Sequence, residues 1–107
     1  MNPIRIGIAG IGNVGEEVAY QLIKGFRVQN DQFKIELHGV SAKSKAKKRK
    51  IDIGVIPFFE DPISMSNSPN IDVIVELIGG DEGVAKDLCF SALKNKKTCA
   101  DLFWNNV

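Results

Sequence analysis

The chain has 107 residues, 44% hydrophobic and 25% charged, with a formal net charge of +1. That length holds one small domain with a core of its own, and is too short for a cofactor domain joined to a substrate domain. The near-neutral balance excludes a molecule built as a whole to grip an acidic polymer.

Ile4, Ile6 and Ile8 alternate with Arg5, Gly7 and Ala9, a period of two that predicts a strand. Gly7 and Ala9 are small enough to let a helix pack closely on their face. Glycines follow at Gly10, Gly12 and Gly15, and then Val14, Val18 and Leu22 recur at helical spacing with Ala19 and Ile23 beside them. Gly25 is placed to end that helix, and residues 27–32 read as a loop. Phe33, Ile35 and Leu37 alternate again into Gly39-Val40, a second strand. Strand, helix and strand in so short a stretch make a βαβ unit.

Residues 43–50 are strongly basic, and a short third strand is expected around Val55 to Phe59. Asp61-Pro62 has the form of a helix N-cap followed by proline at the first helical position. That helix must be brief, because Ser66, Asn67, Ser68 and Pro69 follow. Asp72-Val73-Ile74-Val75-Glu76-Leu77 is an apolar run suited to a strand buried on both faces, with Gly79-Gly80 after it. Val84, Leu88 and Ala92 predict a last helix, and Thr98-Cys99-Ala100 begins a fifth strand. Alternating strands and helices predict an α/β fold with a parallel sheet, a Rossmann-like dinucleotide-binding domain that is incomplete.

Gly10-Ile11-Gly12-Asn13-Val14-Gly15 reads G-x-G-x-x-G between the first strand and the first helix. In that context the first glycine permits the turn, the second lets a pyrophosphate approach the backbone, and the third brings helix and strand together. Amides at the helix start and the helix dipole favour the diphosphate. NAD-binding domains usually place an acid at the end of the second strand for the ribose 2′-hydroxyl. Here Gly39-Val40-Ser41-Ala42-Lys43 carries none. Ser41, Lys43 and Lys45 offer a hydroxyl and two cations, so the expected cofactor is NADP, with NAD as the other candidate. Lys43 fits a 2′-phosphate and a solvated loop equally well, whereas Lys47 to Lys50 fit a solvated loop better.

With these motifs in place the chain resembles the N-terminal domain of homoserine dehydrogenase. The resemblance rests on residues 6–15, on Gly39 to Lys43, and on Ile71 to Gly80 with its Glu-Leu-Ile-Gly-Gly ending. It implies that Gly10, Gly12, Asn13, Val14 and Gly15 form the pyrophosphate loop. It also implies that Lys43 meets the 2′-phosphate, and that Gly79 and Gly80 line the nicotinamide end. Glu76 belongs to the same motif with either a functional or a structural role. The family reduces aspartate semialdehyde to homoserine with NAD(P)H, in the branch leading to threonine and methionine. Its Thr-Ala-Asn-Lys motif has no counterpart in Lys97 to Val107, and its substrate and dimerisation domain, with the lysine and aspartate thought to deliver the proton, is expected to be missing from this chain. The expected division is a cofactor domain over residues 1–97 and a divergent tail over 98–107. The chain is expected to bind a dinucleotide, to hold no catalytic residue and to be inactive alone. The alternatives are a non-catalytic dinucleotide-binding module and a decayed remnant.

Other residues suggest little chemistry. His38 stands alone on a strand and reads as a packed or edge histidine. Cys89 and Cys99 are too few for a disulfide scaffold and belong to no metal-ligating cluster, so no metal is expected. The lysine run lacks interleaved aromatics, so no nucleic-acid partner is expected. No signal peptide and no membrane span are apparent, which predicts a cytoplasmic setting without a membrane partner. Phe103 and Trp104, if exposed, favour self-association, and a complementing chain is the other partner expected.

Overall fold

In the computed structural model the described residues are 3–23, 34–42, 56–78 and 82–101. Four strands, β1 (Ile4–Ala9), β2 (Ile35–Ser41), β3 (Val73–Glu76) and β4 (Thr98–Asp101), form one sheet in the order β2-β1-β3-β4. Every pairing is parallel. Helix α1 (Asn13–Ile23) links β1 towards β2, while α2 (Pro62–Ser66) and α3 (Glu82–Lys94) flank β3 in the chain. This is the Rossmann-like α/β architecture expected from the alternating periods.

The two sides of the sheet are filled differently. On one, Ile8, Leu37 and Val40 are buried with Ile11, Ala19 and Leu77, and Val18 and Leu22 of α1 pack against them. On the other, Ala9, Ile74, Met65, Ile71, Leu88 and Ala92 make a second core under α2 and α3. The small residues of β1 open this second side. Gly7 and Gly39 are register partners. A Cβ on Gly7 would lie 2.9 Å from Met65 Sδ, and one on Gly39 would lie 2.8 Å from Ile71 Cδ1. Two adjacent missing side chains thus make a notch that Met65 and Ile71 fill. The close approach expected at Gly7 and Ala9 is therefore made by α2, α3 and the segment before β3.

The register of β1 and β2 jumps between Ile6–Leu37 and Gly7–Gly39, leaving His38 as the extra residue of a bulge. His38 Nε2 lies 2.9 Å from Glu36 Oε1, and Lys34 Nζ lies 3.2 Å from Glu36 Oε2. Of the third strand expected at Val55 to Phe59, the described residues 56–59 make a parallel bridge from Phe58 to Val40. The Phe59 amide donates to Val40 O at 2.8 Å, and the Val40 amide donates to Pro57 O at 3.0 Å. Pro57 has no amide hydrogen, which limits the ladder here. Gly25, Phe33 and Val55 lie outside the described residues.

Local signals fix the helix ends. Asp61 Oδ1 accepts the Ile63 amide at 2.9 Å and Pro62 opens α2, as the N-cap reading requires. The end of α3 is a Schellman motif without its usual glycine. Lys97 N donates to Ala92 O at 2.8 Å and Lys96 N donates to Leu93 O at 2.9 Å. Lys96 takes φ 63°, the left-handed conformation.

Among the described residues, no helix is long and apolar enough to cross a membrane.

Candidate dinucleotide site at the sheet switch point

β1 has β2 on one side and β3 on the other, so the chain order reverses at β1. In open parallel sheets the crevice at such a reversal, beyond the carboxyl ends of the strands, is where ligands bind. Here that crevice is bounded by the turn after β1 and by Leu77 and Ile78 after β3.

The three glycines of the first turn are constrained in three ways. Gly10 has φ +99°, and a Cβ there would lie 2.8 Å from Ile78 N and Leu77 C, so both conformation and space require glycine. A Cβ on Gly15 would collide with the carbonyl of Gly10, which is how the start of α1 comes to lie on the turn. Gly12 is the exception: a Cβ there meets nothing within 4 Å. Internal packing does not ask for glycine at position 12.

The surrounding hydrogen bonds hold the turn in place. Gly10 N donates to Ser41 O at 2.8 Å, and Leu77 N donates to Ala9 O at 2.8 Å. The first rung of α1 runs from Glu16 N to Gly12 O at 2.8 Å. The amides of Asn13, Val14 and Gly15 precede that rung, at the positive end of the helix dipole. Val14 is exposed on the first turn of the helix.

Ser41 closes β2, is buried, and pairs in register with Ala9. Ala9 pairs on its other side with Glu76, which pairs with Asp101. The carboxyl edge therefore reads Ser41, Ala9, Glu76, Asp101 across the sheet. Glu76 is fully buried, and its Oε2 accepts the Ile78 amide at 2.6 Å. Of the residues singled out from sequence, Gly10, Gly12, Asn13, Val14, Gly15 and Ser41 come together at this edge. Lys43, Gly79 and Gly80 lie outside the described residues. Sequence reasoning missed the backbone of Leu77 and Ile78 as the wall facing Gly10. The available signal was an acid inside an apolar strand, which has to be placed by hydrogen bonds.

A bidentate ion pair lies at the opposite end of the sheet. Arg5 reaches Asp72 through Nε at 3.0 Å and a terminal nitrogen at 2.8 Å, and the Arg5 amide donates to Asp72 Oδ2 at 2.9 Å. Hydrogen bonding from the Arg5 side chain, followed by that from its amide, lowers the Asp72 carboxyl to about 2. Among the described residues no group of His, Cys, Asp and Glu is arranged to hold a metal ion.

Fold, switch point and glycine turn together define a doubly wound domain of the dinucleotide-binding class. The family model described as homoserine dehydrogenase, NAD binding domain, matches residues 10–101, and the chain belongs to that family. It is 32% identical to homoserine dehydrogenase of Pseudomonas aeruginosa, over 91% of this chain and 22% of that protein. It superposes on the S. aureus homoserine dehydrogenase crystal structure with TM-score 0.77 at 30% identity, covering 94% of this chain and 26% of the other. The homoserine dehydrogenase from Thiobacillus denitrificans gives TM-score 0.73 at 28% identity, covering 94% and 23%. The chain thus spans about a quarter of the length of the relatives it matches.

Proposed function

We propose that this chain is the nicotinamide-dinucleotide-binding unit of a homoserine dehydrogenase-type oxidoreductase, and that NADPH is its preferred cofactor. The activity it would serve is reduction of aspartate semialdehyde to homoserine, on the route to threonine and methionine. The observation that carries the reading is Gly12. A glycine that packing does not require, between two that it does, leaves the space a pyrophosphate needs to reach the backbone. The residues present fit such a group: the amides of Asn13, Val14 and Gly15 would bind its phosphates, and Gly10 would keep the turn narrow. The bound nicotinamide would supply the hydride.

The preference for NADPH rests on the strand end. In the sequence no acid stands between Val40 and Lys50, and Ser41, Ala42 and Lys43 occupy the positions where a ribose-binding carboxylate is usual. Gly79 and Gly80 are assigned to the nicotinamide end on the family resemblance. Fluorescence titration of the chain with NADPH and with NADH tests the preference. Replacing Lys43 with Ala is expected to weaken NADPH about fivefold or more, with little change for NADH. Equal affinities for the two cofactors, or an unchanged ratio in the variant, would count against it.

Hydride transfer to an aldehyde also needs the carbonyl held in place and a proton given to its oxygen. Among the described residues the glycine turn and strand ends supply neither, so we assign both roles to groups other than those of this crevice.

A further inference from the structure

Glu76, in the strand leading into the crevice, is a fully buried acidic side chain that the cofactor contacts proposed above do not use. Burying Glu76 is unfavourable unless hydrogen bonds offset its desolvation, and one such bond is specific. Its Oε2 reaches forward two residues to accept the Ile78 amide at 2.6 Å. That amide belongs to the backbone against which Gly10 rests, since a Cβ on Gly10 would lie 2.8 Å from Ile78 N and 2.9 Å from Ile78 Cα. One residue earlier, Leu77 N donates to Ala9 O at 2.8 Å, and Leu77 joins the core under α1. The two segments bounding the crevice therefore touch through Gly10 and Ile78, and Glu76 holds the Ile78 side of the contact.

We propose that Glu76 is a positioning residue: by accepting the Ile78 amide it fixes the backbone of Leu77 and Ile78 against the glycine turn, so that this wall of the dinucleotide crevice is formed before the ligand arrives. The proposal rests on the dinucleotide reading above. Its energetic logic is preorganisation, since a wall already in place is not ordered at the expense of binding. The hydrogen bond is made from one side chain to the backbone two residues further along its own chain, so it survives or fails independently of contacts made by the ligand.

The test compares Glu76→Met, which keeps the volume and removes the acceptor, with Glu76→Gln, which keeps a carbonyl oxygen able to accept the Ile78 amide. Both variants and the wild-type chain are titrated with NADPH, and amide hydrogen exchange is measured on each without ligand. Glu76→Met is expected to weaken NADPH by about tenfold or more, and Glu76→Gln to recover most of that loss. Without ligand, exchange at Ile78 should accelerate at least about tenfold in Glu76→Met, while Ile8 and Ile74 in the strands stay protected. Full affinity in a folded Glu76→Met chain, or an Ile78 amide still protected in it, overturns the proposal. A Glu76→Gln chain as weak as Glu76→Met overturns the assignment to the acceptor oxygen. Failure of the wild-type chain to bind would instead bring down the functional reading, and with it any ligand role for Glu76. The exchange pattern would still decide whether Glu76 holds the turn.

Discussion

Gly12 and Gly15 lie three residues apart and fail differently when given side chains. Gly15→Ala would push a methyl group into the Gly10 carbonyl, so a destabilisation of about 1–3 kcal/mol is expected in urea unfolding. Gly12→Leu enters open space, so its folding stability should change little while dinucleotide affinity is lost. A Gly12→Leu chain that binds NADPH normally would show that the open space serves no ligand. Lys96 is the converse case, a residue with a Cβ in a left-handed position at the end of α3. Lys96→Gly should stabilise by about 0.5–1 kcal/mol, measured the same way. Asp72 gives a pH dependence of known sign. Its carboxyl is lowered from an ordinary 3.8 to about 2 in the folded state. Its contribution is therefore present above about pH 4 and is lost as pH falls towards 2. Asp72→Asn should flatten stability across that window, by a modest amount because the pair is partly exposed to solvent. Chemical denaturation at a series of acid pH values checks it.

At the scale of elements, the sequence foretold what short-range pattern encodes and missed what distant packing decides. The period-two run of β1, the glycine turn into α1, and the Asp61-Pro62 start of α2 each depend on neighbours in sequence, and all three are present. The bulge at His38 depends on which residues of β1 lie opposite, and no pattern within β2 announces it. Among the described residues the third strand is reduced to the Phe58 bridge, where Pro57 lacks the amide donor a ladder would use. The left-handed end of α3 falls on Lys96, so the glycine that would have marked the terminus is missing. The candidate site divides in the same way. Gly10 to Gly15 could be read from spacing, but the Ile78 backbone that faces Gly10 comes from more than sixty residues further along. Met65 is the strongest example of packing that sequence conceals, since its partners are the absences at Gly7 and Gly39. Met65→Ala would leave that notch unfilled under α2, and should cost about 2–4 kcal/mol in urea unfolding. A loss under about 1 kcal/mol would mean that the notch collapses around the smaller side chain.

At the scale of the whole molecule, the sheet order places the glycine turn at the reversal point, and the chain matches about a quarter of each homoserine dehydrogenase compared. Because proton delivery is assigned elsewhere, the purified chain is expected not to oxidise NADPH in the presence of aspartate semialdehyde. Binding a cofactor does not accelerate hydride transfer unless other groups act on the transition state. Turnover lost on Gly12→Leu substitution would show that these residues do more than hold a cofactor. The dinucleotide reading stands or falls on titrating the folded 107-residue chain with NADPH while following nicotinamide fluorescence, alongside Gly12→Leu. Saturable binding by the wild-type chain is expected, together with its loss in a variant of equal folding stability. A folded wild-type chain that gives no saturable signal, or a Gly12→Leu chain that binds as tightly, would refute that reading.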